Sequence, residues 1–180
     1  MILVVGAIGQ ELAGARERAR LLICGVGPVE AAIATAKEIV KERPRAVLNV
    51  GLAGARHGSG LELLDVVVGT EAVYCDLFPR FAPNRLMPDD GLLEAAHRAL
   101  PEARFLSIGT TASVGGSSKV EVEAMEGFSV MRAAQLAAIP ALELRVISNE
   151  VEEPSRSSWR IDDGLFALAG ATRRLLDELL

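Results

Sequence analysis

Residues 20–54 read RLLICGVGPVEAAIATAKEIVKERPRAVLNVGLAG. An apolar run, Leu21-Leu22-Ile23-Cys24, meets the tight turn Gly25-Val26-Gly27. Pro28 then stands where a helix tolerates proline best, at its first position. Val29, Ala32, Ile33, Ala36, Ile39 and Val40 recur at helical spacing, which predicts an amphipathic helix over 28–42, stopped by Pro44. A strand over 46–50 follows, then a glycine-rich turn from Gly51 to Gly60. Strand, helix and strand in succession are the unit of an α/β fold.

The alternation continues in both directions. Residues 1–6 and 20–25 read as buried strands, and 64–74 as a long one. Pro79, Pro83 and Pro88 make 77–88 a loop. Asp89 or Asp90 caps a helix reaching about Leu100, and a strand over 104–108 leads into a Ser/Thr/Gly loop over 110–118. A helix over 127–138 places Gly127, Val130, Met131, Ala134 and Ala138 on one face. A strand over 141–148 follows, and a last helix over about 161–179 buries Leu165, Leu168, Leu175 and Leu179. No repeat and no linker divides the chain, so 1–180 is expected to be one domain.

Composition excludes several classes. Half of the 180 residues are hydrophobic, enough for a core that buries about 70% of the unfolded surface. No apolar run reaches about 18 residues, so no membrane partner is expected. A net charge of −5 lacks the basic stripe that phosphate backbones require, so no nucleic acid is expected either. Cys24 lies in an apolar run as a small hydrophobe, and two cysteines make no disulfide scaffold. Met1-Ile2-Leu3-Val4-Val5-Gly6 has no basic leader and reads as a first strand, which makes the cytoplasm the expected compartment.

Familiar motifs fail in informative ways. The third glycine of a dinucleotide fingerprint would fall at residue 30, which is Glu30, a carboxylate that would repel a pyrophosphate. The Lys119 region lacks the order of a P-loop, and His57 breaks a nucleophile elbow around Ser59. His57 and His97, 40 residues apart, make no metal site. What remains is a set of polar residues at strand ends: Glu11, Asn49, Glu126 and Asn149. Alone, each is a cap or turn residue. Together they could converge beyond the carboxyl ends of the strands, where open α/β sheets bind ligands.

At these residues the chain resembles the nucleoside phosphorylase/nucleosidase superfamily, and within it the futalosine hydrolase branch. The resemblance rests on Gly6-Ala7 with Glu11, on Gly25-Val26-Gly27-Pro28-Val29-Glu30-Ala31-Ala32 and on Asn49-Val50-Gly51-Leu52-Ala53-Gly54. It continues through Glu71-Ala72-Val73-Tyr74, Glu123-Ala124-Met125-Glu126-Gly127, Val146-Ile147-Ser148-Asn149 and Trp159-Arg160. It implies cleavage of a purine–ribose bond through an oxocarbenium-like transition state. By that resemblance Glu11 takes a proton from attacking water, Glu126 grips the ribose hydroxyls and Met125 packs on the sugar. Gly27, Leu52, Ala53 and Gly54 line sugar and base, and Trp159 covers the base or anchors the last helix. Asn149 stands where adenosine-type relatives carry an aspartate; a neutral amide suits a 6-oxopurine such as hypoxanthine. Asn49 stands where phosphorylases carry an arginine, which favours water over phosphate.

The resemblance further implies a single α/β domain with a central mixed, twisted sheet flanked by helices, no metal or organic cofactor, and a small-molecule nucleoside substrate. It implies a homodimer, with Tyr74 and the 77–88 loop as contacts, and Arg80 and Arg85 as partners for an acidic tail on the sugar. The alternatives are a methylthioadenosine/adenosylhomocysteine nucleosidase, a purine nucleoside phosphorylase and a non-catalytic nucleoside-binding protein.

Overall fold

Among the described residues eight strands form one mixed sheet, with helices on both faces. A computed structural model describes residues 1–77, 80, 82–115 and 120–180. In chain order the strands are β1 (Ile2–Gly6), β2 (Arg20–Ile23), β3 (Ala46–Ala55), β4 (Val66–Tyr74), β5 (Arg85–Leu86), β6 (Arg104–Thr110), β7 (Val122–Ala124) and β8 (Ala141–Glu150). The helices are α1 (Pro28–Glu42), α2 (Asp90–Ala99), α3 (Gly127–Leu136) and α4 (Ile161–Leu179), with short 3-10 segments at Gly9–Ala15 and Arg156–Ser158.

The sheet closes on itself. β8 runs parallel to β3 on one edge and antiparallel to β4 on the other. β4 pairs β6, β6 pairs β7, and β7 returns to the end of β3. β3–β8–β4–β6–β7 is therefore a ring, from which β1 and β2 extend on one side and β5 on the other. Ala53, Val67, Ile108, Val122 and Ile147, one from each strand of the ring, pack in a single cluster. A second core, with Leu92, Leu168, Leu175 and Leu176, lies under α2 and α4; a third, with Ala31, Val130 and Met131, lies under α1 and α3. Burying each of those leucines is worth about 1.5–3 kcal/mol relative to exposure. Asp89 caps α2 by accepting the Leu92 N–H at 3.0 Å. Among the described residues no helix is long and apolar enough to cross a membrane.

Several expectations change. β2 is an edge strand and is half exposed, since only β1 pairs with it. β3 continues through Gly51–Gly54 where a turn is predicted, because β8 pairs with it along that length. β5 and β7, two and three residues long, are too short to carry a periodic signal. α3 ends at Leu136, and Ala138, beyond it, has φ of 54° and is exposed. The largest difference is in α1. Its limits match, but its packed face is Ala31, Thr35 and Ile39, while Val29 (66%), Ile33 (55%) and Val40 (78%) are exposed. Small residues let the helix lie close to the sheet and to α3, and the bulkier apolar row is left outside. Part of the 77–88 loop and of the 110–118 loop lies outside the described residues.

Candidate active site

One cleft opens beyond the ends of β1, β3, β7 and β8, lined among others by Glu11, Leu52, Ala53, Gly54, Met125 and Trp159. Glu11 reaches it because the chain leaves β1 into the Gly9–Ala15 segment, whose Leu12 and Ala15 pack in the core under α4. Its carboxylate is almost wholly buried. One oxygen accepts the N–H groups of Ala7 (2.7 Å) and Ile8 (3.2 Å); the other accepts that of Leu52 (3.1 Å). Burial pushes this carboxyl above its ordinary value of 4.5, against the pull of Arg145 and of the backbone donors. A carboxylate whose proton affinity is raised in this way is a better proton acceptor than an ordinary one.

Arg145, on β8, lies beneath the cleft with 1% of its surface exposed. It donates from Nε to Glu143 (2.8 Å), from one terminal nitrogen to the Leu52 carbonyl (3.3 Å) and Glu126 (3.4 Å), and from the other to Asn49 Oδ1 (2.6 Å). Asn49 in turn donates to the Val5 carbonyl at 3.1 Å. Glu126 accepts the Gly27 N–H at 3.0 Å on its other oxygen. Three buried carboxylates thus surround one guanidinium. Breaking such a pair from one side leaves an uncompensated buried charge, which costs about 3–5 kcal/mol. Gly51 makes the arrangement possible. A Cβ there would lie 2.3 Å from an Arg145 nitrogen and 2.8 Å from Glu11.

The other end of the cleft is built by an irregularity. The register of β3 against β8 shifts between Ala53 and Gly54. An unbroken pleat would send Ser148 and Asn149 to opposite faces, but both line the cleft. Asn149 donates to the Glu150 carbonyl (3.0 Å) and accepts from Ser148 (2.9 Å). Glu123, on β7, is also buried and also lines the cleft. It accepts from Thr111 Oγ1 (3.2 Å) and from Arg56 (3.4 Å).

The structure therefore brings Glu11, Leu52, Ala53, Gly54, Met125, Glu126, Asn149 and Trp159 to one cleft. Gly27 is not on its wall. Its N–H goes to Glu126, and the neighbouring Val26 lines the cleft instead. Asn49 lies below the cleft, holding Arg145. Tyr74 stacks on Phe128, ring centroids 5.4 Å apart, and Arg85 pairs with Glu71; neither lines the cleft. Arg80 is exposed. Cys24 is buried, its thiol pushed up to about 12 chiefly by burial, and both cysteines are free. Arg145, Glu143 and Glu123 are the residues that sequence reasoning missed. For Glu143 and Arg145 the signal is a charge at alternate positions in a run that otherwise reads as core strand, and a buried charge implies a partner; β7 is too short to give Glu123 any such signal.

The family model for the phosphorylase superfamily matches residues 7–180. The chain is 32% identical to a futalosine hydrolase of Thermus thermophilus, covering 86% of this chain and 79% of that protein. It is 31% identical to a futalosine hydrolase of Streptomyces coelicolor, covering 86% and 77%. Among solved structures, the S-adenosylhomocysteine nucleosidase of Streptococcus pyogenes, in complex with 5-methylthiotubericidin, superposes with a TM-score of 0.89 at 21% identity, covering 99% of this chain and 97% of that one.

Proposed function

The chain belongs to the phosphorylase superfamily, and within it, we infer, it is a futalosine hydrolase: an N-glycosidase that cleaves the bond between ribose and purine with water. One observation carries the reading, the convergence of buried Glu11 and Glu126 around Arg145 at one end of a cleft whose other end holds Asn149. In the proposed mechanism Glu11 accepts a proton from the attacking water. Glu126, fixed by Gly27 and Arg145, accepts from the ribose hydroxyls and opposes the positive charge that develops on the sugar. Asn149 supports the departing base, and Met125 and Leu52 present apolar surface to the nucleoside.

Water rather than phosphate is supported by how the nearby cations are engaged. Arg145 is buried and donates to Glu143, Glu126, Asn49 and the Leu52 carbonyl. Arg56 donates to Glu123, Glu152 and the Val120 carbonyl. Neither is presented to a phosphate dianion.

The family resemblance carries the rest of the proposal: one nucleosidase unit over 1–180, hypoxanthine as the released base, a place in menaquinone biosynthesis, the cytoplasm as compartment and a homodimer. The exposed apolar row of Ile23, Val26, Val29 and Ile33, continuous with the cleft through Val26, supports the last of these. The test is base release from futalosine, methylthioadenosine and inosine, each with and without phosphate. Phosphate-independent release of hypoxanthine from futalosine is expected. Adenine from methylthioadenosine alone, or release only with phosphate, would overturn the assignment.

A further inference from the structure

Asn149 alone does not explain a choice of purine. Held by the Glu150 carbonyl and the Ser148 hydroxyl, its amide still has one N–H and one lone pair to offer, so it can donate to a 6-oxo ring or accept from a 6-amino one. Glu123 differs in kind. An ionised carboxylate only accepts. Its place in the fold sets it opposite Asn149. Gly54 of β3 is in register with Glu123 of β7 on one side and with Asn149 of β8 on the other. Residues in register share a face, so the two polar side chains flank Gly54, their backbones about 10 Å apart across two strand spacings. Gly54 presents no side chain between them, and a Cβ there would come within 3.0 Å of the Asn149 amide nitrogen. A flat ring lying over Gly54 would meet one group on each edge.

The Glu123 carboxylate is also held for such a task. The Thr111 hydroxyl lies 3.2 Å from one oxygen, its single proton shared with the Ser113 carbonyl at 2.8 Å, and Arg56 donates to the other. Arg56 is itself fixed by the Val120 carbonyl at 2.9 Å.

Resting on the reading of this cleft as a purine nucleosidase site, we propose that Glu123 is the residue that selects a 6-oxopurine, by accepting the N1–H of its lactam ring. A 6-aminopurine presents a lone pair at N1, which a carboxylate repels. The choice is thus made by rejection as much as by attraction. A site built to bond a ring N–H discriminates by up to about 10⁴–10⁵ against an analogue lacking it.

The test compares kcat/KM for futalosine and for its 6-amino counterpart with the native protein, Glu123→Gln and Glu123→Ala. The ratio of 6-oxo to 6-amino is expected to fall by about 10²-fold or more in Glu123→Gln, whose amide can also donate to N1. Equal losses on both substrates, with the ratio unchanged, would overturn the proposal and leave Glu123 as a support for Arg56 and Thr111. A second readout needs neither variant nor turnover. Hypoxanthine should bind the native protein about 10²-fold more tightly than 1-methylhypoxanthine, which has no N1–H. Equal binding overturns the proposal. Native protein that binds hypoxanthine selectively but releases base from no nucleoside would retain the role of Glu123 and sink the hydrolase reading instead.

Discussion

The two ends of the cleft are held in different ways. At the sugar end, three carboxylates and an asparagine converge on Arg145, all buried, and every element that contributes is anchored in the core. At the base end, Glu123 is held by one hydroxyl and by an Arg56 that is a quarter exposed and shared with the exposed Glu152. The first arrangement resists change, because no member can leave without stranding another. The second can be retuned one residue at a time. On the proposed reading, the chemistry of bond cleavage falls at the rigid end and the choice of base at the adjustable end.

The contrast can be broken most sharply at Glu11. Replacement by Gln should lower kcat by about 10²–10⁴-fold while hypoxanthine affinity survives, read by steady-state kinetics and product inhibition. Retained turnover would remove the proton-accepting role from the sugar end. Next come the two arginines. Arg145→Met should cost about 3–5 kcal/mol in urea unfolding, because buried Glu143 and Glu126 both lose the guanidinium they pair with. Arg56→Met, at a pair whose arginine is a quarter exposed and whose carboxylate is buried, should cost less than Arg145→Met, because it strands one buried carboxylate rather than two. Equal costs would erase the distinction between the ends.

A smaller effect is the response to pH. The folded pKa of Glu11 is raised by burial, so kcat/KM should fall tenfold per unit as pH drops through a value above the ordinary 4.5. Stability runs the other way. Glu11 and Glu143 both bind protons more readily folded than unfolded, chiefly because burial disfavours their charge. Their contribution is therefore fully present below the ordinary carboxylate value and is lost as pH rises through the raised folded values. Activity and urea stability measured across that window should cross. If both rise together, the carboxylates are stabilised as anions and the sugar end is misdescribed.

The fold was legible where proline and periodicity mark boundaries. Pro28 and Pro44 bracket α1, and Asp89 announces α2. Orientation was not legible. A helical stripe says which residues share a face but not whether the protein covers that face, and in α1 it leaves Val29 and Ile33 outside. Gly51 to Gly54 looked like a turn because glycine signals one locally, whereas here glycine answers to side chains arriving from β8 and from Glu11. In the cleft, Glu11, Glu126 and Asn149 stood out at the ends of apolar runs. Arg145 and Glu143 did not, since a charge inside a strand declares its partners only once the neighbouring strands are in register. Glu123 sat in plain view beside Met125 and Glu126, but its meaning depends on Gly54, 69 residues away and paired with it.

Trp159 lines the cleft, half-buried, with the Arg156 guanidinium 5.6 Å from its ring centroid and no hydrogen-bond partner at Nε1. It is the chain's sole tryptophan. The emission of the whole protein, excited at its red edge, therefore originates from a single chromophore at the ligand's doorstep. Occupancy of the cleft can be followed optically in the native chain, without label or coupled assay, and separately from catalysis.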